Sequence, residues 1–543
     1  MGILRAVLAA LLFVSLATAT ELKITLLGTT DLHGNLVPYD YYTAQPAARG
    51  LAKIATIIEA ARAENPHNLL IDCGDTIQGT PLEAVYQEKG GPGLDHDPMM
   101  LAMNAIGYDA MVVGNHEFNF GLKNLAKARS DARFPWISSN ILGGDQPFAP
   151  YLLKTIAGVK IAVIGVTTPL IPDWEAEEHY HGYRFDSGVE AVKRTVADLR
   201  AHEHPDIVIV AAHAGLDGDL RENMVREIAT EVPGIDAIVF GHTHQQLAGL
   251  QIGNVLLMQP KNWGISLGRM DFVLQSGESG GWKIASKSSR LIPVTRDTAA
   301  DPKILEIARP YHQLAESYLK TSVAQAPVSL DSRLARVEDS ALIDAIQQVQ
   351  LFYSKADVSF ASSFNARVSI PQGPVTIRQI AALYIYENQL YVIAGNGKML
   401  RDALENSARY FRSCAADCSH GPLINPDVIG YNYDMAQGVD YEIDLTQPPG
   451  MRIRNLRWHG KPLDDNQPLR IAVNNYRAGG SAGYTMFRGA KIVWRSPDEI
   501  RDLMIQYYSE HKTLPTQPDN NWRVIPEAAL HTLEREALAG AKP

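Results

Sequence analysis

Residues 24–35 read ITLLGTTDLHGN: a run of aliphatic and β-branched residues ends in glycine, and the chain then presents Asp31, His33 and Asn35. Four more apolar runs end at a polar residue in the same way, and across the five glycine directly precedes that residue in three. The run 68–71 leads to Asp72, Cys73, Gly74 and Asp75; the run 111–113 leads to Gly114, Asn115, His116 and Glu117. The run 207–212 leads to His213, and the run 238–240 leads to Gly241, His242, Thr243 and His244. Glycine before a polar residue permits a tight turn and close backbone approach. One polar residue at a strand end is ordinary turn chemistry, but five endings that each carry Asp, His or Asn are not. In an open sheet, ligands bind beyond the carboxyl ends of the strands. The five endings therefore predict one polar site along one edge.

These runs (the first spanning 23–27, the third 110–113), with others at 160–166 and 255–258, alternate with helical patterns at 50–62 and 187–202. That alternation predicts βαβ units around a buried sheet. Residues 301–322 read as a helix linking this region to a second mixed one, with helices at 340–352 and 398–410 and strands around Val392 and Ile471. Residues 90–98 and 479–483 read as loops. A length of 543 residues suits two large domains.

With 46% hydrophobic and 20% charged residues, the chain is neither disordered nor fibrous. Fifty Lys and Arg against 60 Asp and Glu give a net charge of −10, which argues against a nucleic-acid polymer as partner. An anionic small molecule stays possible, because bound metal reverses the local sign. At the start, one positive charge precedes an apolar run over 6–16 and the small-x-small pattern Ala17, Thr18, Ala19. The run is too short to span a bilayer and reads as a secretory signal peptide at 1–20, implying a periplasmic or secreted protein with no membrane insertion after cleavage. Of three cysteines, Cys73 reads as a buried thiol, while Cys414 and Cys418 either pair in an oxidising compartment or stay free.

The donors at the five endings are carboxylate, imidazole and amide oxygen, without thiolate, which suits Zn, Mn, Fe(II), Co or Mg. Asp31, His33, Asp75, Asn115, His213, His242 and His244 are too many for one tetrahedral ion and fit two ions bridged by a carboxylate. Two ions about 3.5–4 Å apart clamp an in-line phosphoryl displacement. Glu117 reads as orienting its neighbours rather than ligating. His67, His96, His179, His181, His202 and His204 lie in polar stretches and read as solvated.

The blocks DLHGN, GDTIQG, GNHEFN, AHAG and GHTH resemble the signature of the calcineurin-like metallophosphatases. In the second half, GYNYD at 430–434, GVDYEID at 438–444, NNYRA at 474–478 and DNNWR at 519–523 resemble the 2′,3′-cyclic-nucleotide 2′-phosphodiesterase/3′-nucleotidase branch and its 5′-nucleotidase relatives. The resemblance implies an α/β (α+β) architecture. A four-layer metallophosphatase β-sandwich flanked by helices would span 21–300, a linker helix 301–324, and an α+β C-terminal substrate-binding domain 325–543. Asp31, His33 and His244 would hold one divalent ion and Asn115, His213 and His242 the other, with Asp75 bridging; Zn, Mn, Co or Fe are the candidates. His116 would face the phosphate, oriented by Asn119 where many relatives carry Asp. The base would stack between Tyr433 (or Tyr431, on the same face if this is a strand) and Tyr484 or Tyr476. Apart from the resemblance, Asn365 and Arg367 follow a strand-like run at 358–360 and either touch phosphate or ribose or belong to a surface loop, and Arg477 reads the same way. The implied reaction is attack of a metal-bridging hydroxide on a small-molecule nucleotide. A 2′,3′-cyclic substrate would give a 3′-nucleotide, then nucleoside and phosphate, on a monomer that hinges about its cleft. A 5′-nucleotidase or nucleotide-sugar hydrolase, or a thiosulfohydrolase, is the alternative on the same scaffold.

Overall fold

The computed structural model describes residues 21–218, 221–276, 281–386, 388–414, 418 and 421–540; the signal segment expected at 1–20 lies outside them. Apart from two short two-stranded ribbons, the strands of the first half are β1 (Glu21–Thr29), β2 (Asn68–Asp72), β3 (Ala110–Val112), β4 (Trp136–Ile137), β5 (Tyr151–Ile156), β6 (Val159–Thr167), β7 (Ile207–His213), β8 (Ala237–Phe240), β9 (Leu247–Ile252), β10 (Val255–Gln259), β11 (Ser266–Ser276) and β12 (Trp282–Pro293). They form two six-stranded sheets, ordered β12-β11-β1-β2-β3-β4 and β9-β10-β8-β7-β6-β5. From β1 to β4, and across β6, β7, β8 and β10, neighbours are parallel.

The layering follows from strands that are apolar on both faces. In β7, Ile207, Ile209 and Ala211 pack between the sheets against Ile24, Leu26 and Ile71. The alternate residues Val208, Val210 and Ala212 meet Val192, Val196 and Leu199 of the helix Gly188–His202. On the far side, Leu27 and Leu70 pack on Leu51, Ile54 and Ile58 of the helix Leu51–Glu64. The result is helix, sheet, sheet, helix: the four-layer sandwich rather than one central sheet.

The helix expected at 301–322 runs Pro302–Leu319; Asp301 caps it by accepting from Lys303 N at 2.8 Å and Ile304 N at 3.1 Å. Its buried face, including Ile304, Ala308 and Tyr311, packs in the cluster of Leu51 and Met99. Beyond it come β13 (Val358–Ser362), β14 (Gln389–Asn396), β15 (Asp434–Gln437), β16 (Pro468–Asn474) and β17 (Ile492–Glu499), in the order β15-β13-β16-β14-β17. The helices Ala341–Ser354 and Ile500–His511 share a hydrophobic core with this sheet. Cys414 and Cys418 are joined as a disulfide, and Cys73 is a free, buried thiol.

Candidate active site

Five of the residues singled out at the strand ends have left-handed backbones: φ is 49° at Asp31, 47° at His33, 58° at Asp75, 75° at His242 and 53° at His244. Side-chain-bearing residues rarely adopt this region, and such strain gathers where function demands it. The turns close because glycine stands between them. A Cβ on Gly114 would lie 2.2 Å from Asp75 Oδ1, and one on Gly241 would lie 1.8 Å from Thr30 Oγ1.

All seven predicted donors converge. Asp31, His33 and His244 place ligand atoms within 4.8 Å of one another, as do Asp75, His213 and His242. His33 Nε2 lies 3.0 Å from His244 Nε2, and His244 Nε2 3.5 Å from Asp31 Oδ1. His213 Nε2 lies 3.0 Å from Asn115 Oδ1, 3.0 Å from Asp75 Oδ2 and 3.2 Å from His242 Nδ1. Asp75 Oδ2 is also 3.9 Å from His33 Nε2, so it stands between the two groups.

The hydrogen bonds behind these atoms fix which way each ring is turned. His213 Nδ1 donates to Cys73 O at 2.7 Å, and His33 Nδ1 donates to Gln78 O at 3.0 Å. His242 Nε2 lies 3.3 Å from Glu222 Oε2. Each ring spends its proton outward and turns the other nitrogen inward, as metal-binding imidazoles do. Burial, opposed by the hydrogen bond and charge of His244, leaves the Asp31 carboxyl lowered to about 2. Burial and the neighbouring His244 lower the His33 ring to about 4. Burial pulls His213 the same way, but Asp75 raises it to about 10, so a proton sits where the acceptors want a cation. A metal displaces such protons. The donor set therefore fits two divalent ions.

Glu117 is fully buried, and its oxygens are taken up by backbone N–H groups. Its carboxylate accepts from Gly114 N at 2.7 Å, Asp75 N at 2.9 Å and Thr76 N at 2.6 Å, tying two of the turns together. Burial raises its pKa to about 7.

His116 opens the short turn His116–Phe118. Its Nδ1 is 2.6 Å from Asn119 Oδ1, and its Nε2 is 4.0 Å from Asp75 Oδ2 and 3.0 Å from the Tyr476 hydroxyl. Asp75, His116 and Tyr476 line a cleft of about 800 Å³ whose walls come from both halves of the chain.

The substrate-side expectations need correction. Tyr433 and Tyr484 are fully buried: Tyr433 stacks on Tyr410 at 5.0 Å, and the Tyr484 hydroxyl is 2.6 Å from Ser407 Oγ. Neither can clamp a base. Tyr431 is 37% exposed and lines the cleft. It does not share a face with Tyr433, because the chain there is the 3₁₀ turn Gly430–Asn432 and not a strand. Tyr476 also lines the cleft, but it stacks on Trp174 and reaches His116. Asn365 and Arg367 line the cleft; Asn365 is occupied with Ala382 O and Arg367 N, while Arg367 is exposed. Arg477 is buried in an ion pair with Asp434 at 2.7 Å and donates to Tyr431 O at 2.8 Å, so it holds the Tyr431 turn.

Sequence reading missed Phe364 and Tyr386, which stand in edge contact at 5.2 Å, with Tyr386 6.1 Å from Tyr431. The signal was the tyrosine density of 384–391. It also missed Trp174, which stacks on both His242 at 5.7 Å and Tyr476 at 5.8 Å, and Glu222; no spacing marks either.

Residues 24–246 match the calcineurin-like phosphoesterase family and residues 321–489 the 5′-nucleotidase C-terminal domain. The chain is 31% identical to a Salmonella typhimurium 2′,3′-cyclic-nucleotide 2′-phosphodiesterase/3′-nucleotidase, over 96% of this chain and 92% of that one. It is 30% identical to the Bacillus subtilis trifunctional nucleotide phosphoesterase YfkN over 96% of its own length, and spans 40% of that longer protein. A crystal structure from Staphylococcus aureus, assigned as a 5′-nucleotidase, superposes with a TM-score of 0.78 at 27% identity, covering 92% of this chain and 99% of that one. The protein thus belongs to the 2′,3′-cyclic-nucleotide 2′-phosphodiesterase/3′-nucleotidase family of nucleotide phosphohydrolases, and is a metal-dependent phosphoric ester hydrolase.

Proposed function

We propose that this protein hydrolyses 2′,3′-cyclic nucleotides to 3′-nucleotides, and 3′-nucleotides to nucleoside and phosphate. One observation carries the reading. A single cleft has the inward-turned donors at one end, the aromatic rings of Tyr431, Tyr386 and Phe364 at the other, and His116 by the donors. Asp31, His33 and His244 would hold one ion and Asn115, His213 and His242 the other, with Asp75 shared. Bound there, two such ions (Zn, Mn, Co or Fe as candidates) would neutralise phosphoryl charge and acidify water. The chain's own residues do the rest. Tyr431 offers the base a ring face, and stacking tolerates any base. Arg367 supplies positive charge in the cleft. His116, its Nδ1 proton held by Asn119, presents Nε2 to the departing ribose oxygen and hands it a proton.

Residues 21–300 would act as the metal-bearing domain and 325–543 as the substrate domain, joined through 301–324. The segment 1–20 would send a monomer to the periplasm or outside the cell. Among the described residues no helix is long and apolar enough to cross a membrane.

The test is release of phosphate and nucleoside from 2′,3′-cyclic AMP, 3′-AMP and 5′-AMP by Mn- or Co-loaded protein, with Asp75→Ala as the inactive control. Turnover of the first two with 5′-AMP nearly inert is expected. Preference for 5′-AMP would place the activity with the 5′-nucleotidases.

A further inference from the structure

The geometry points to Glu175 as a positioning residue that acts through Asn119 to fix which nitrogen of His116 carries the permanent proton. This inference rests on the proposed role of His116 in leaving-group departure. Glu175 follows the short helix Ile171–Trp174 and is 7% exposed. Its Oε1 accepts from Asn119 Nδ2 at 2.6 Å, while Asn119 Oδ1 is 2.6 Å from His116 Nδ1. Its other oxygen, Oε2, is 3.0 Å from His179 Nδ1. His179 is therefore not a merely solvated side chain: it pins the carboxylate from behind.

An amide can present a donor or an acceptor, whereas an ionised carboxylate can only accept. A carboxylate at position 119 would only accept, and would hold His116 Nδ1–H whichever way it turned. Asn119 has one accepting and one donating end, and rotation by half a turn exchanges them. In the exchanged orientation its NH2 would donate to Nδ1, leaving that nitrogen without a proton and forbidding the doubly protonated ring. Glu175 removes the choice. A carboxylate can only accept, so the amide must give it NH2 and turn its oxygen to His116. The chain thus places its negative charge one residue further from the imidazole and uses the amide to transmit orientation. In the reaction the water oxygen bonds to phosphorus, keeping one proton on the phosphate and releasing the other to solvent; the bond from phosphorus to the ribose oxygen breaks, and its electron pair takes the Nε2 proton, which solvent then restores. Nδ1–H stays with Asn119 throughout.

Glu175→Gln tests this with little change of shape. A Gln at 175 offers a donor and an acceptor, so both orientations of Asn119 become satisfied. On 3′-AMP, whose leaving group is an alkoxide, kcat should fall about tenfold to a hundredfold with KM nearly unchanged. On 4-nitrophenyl phosphate, whose phenolate leaves without a proton, kcat should fall less than about threefold. Adding Asn119→Asp to Glu175→Gln should restore most of the 3′-AMP rate. In zinc-loaded full-length protein with ring-15N histidine, the His116 signals, assigned by their loss in His116→Gln, should show a protonated Nδ1 in the wild type and partial loss of that proton in Glu175→Gln. Equal losses on the two substrates, no rescue by Asn119→Asp, or an unchanged His116 spectrum would each overturn the inference. Wild-type protein that turns over 4-nitrophenyl phosphate and no nucleotide would instead sink the nucleotide reading, and the His116 spectrum would still judge Glu175.

Discussion

Tyr431 and Tyr433 stand two positions apart and have opposite fates. Tyr431→Ala removes an exposed ring from the cleft, so it should raise KM for nucleotides by the equivalent of about 1–3 kcal/mol while sparing 4-nitrophenyl phosphate, in paired steady-state assays. Tyr433→Ala removes a ring stacked inside the core and should cost about 3–5 kcal/mol of stability, read in a denaturant melt. Reversed outcomes would mean that the wrong tyrosine has been assigned to the base. The candidate metal donors were legible because each follows closely on an apolar run, most of them with a glycine beside them, a local pattern. The base wall was not. With 22 tyrosines in the chain, only the 3₁₀ turn at Gly430–Asn432 decides which one faces solvent. The Glu175–Asn119 bond was equally hidden, since it joins residues 56 positions apart.

At the level of elements, the long periodic segments came out within a few residues. The helices expected at 187–202 and 340–352 run Gly188–His202 and Ala341–Ser354. The segment 398–410 splits into a helix, Gly397–Ser407, and a 3₁₀ turn, Ala408–Tyr410. The pairing of strands into two sheets was not legible from the apolar runs, because β2 and β7 are buried on both sides and their faces read alike. The turns between strand and site are tight enough to predict from. Gly114→Ala would drive a Cβ into Asp75 and Glu117, so metal content by elemental analysis should fall from two ions per chain, with about 1–3 kcal/mol of overpacking strain in the melt. At the start of the helix Ala341–Ser354, Asp339, Asp344 and Asp519 crowd together. Burial and mutual repulsion raise Asp344 from 3.8 to about 7 and Asp339 to about 6. A carboxyl whose folded pKa is raised contributes stability that is complete below pH 3.8 and is lost as pH rises through the folded value. Asp344→Asn should therefore raise Tm at about pH 8 and leave it nearly unchanged at about pH 4. A pH-independent difference in Tm would refute the repulsion.

Across the whole molecule, the two halves touch at the site itself as well as away from it, where Arg378 donates to Tyr41 O and Ile377 packs into the core of the first half. The Trp174 carbonyl accepts from Tyr391 OH and from Asn475 Nδ2, each at 3.2 Å, and Tyr476 lies on His116. A nucleotide must come between Tyr476 and His116 to react, so the halves should separate and reclose. Small-angle scattering with and without a non-hydrolysable 3′-nucleotide analogue should show different radii of gyration, and identical curves would count against the movement. The donors themselves divide between the sheets: Asp31, Asp75 and Asn115 follow β1, β2 and β3 of one, while His213, His242 and His244 end or follow β7 and β8 of the other. Ions held by both sets would rivet the sandwich shut. Whatever binds the folded state alone stabilises it by mass action, so metal supply would govern how long each copy survives proteases as well as how fast it works. Cells short of the ion would lose the enzyme itself, and activity measured after adding metal back to a starved culture would understate what had been made.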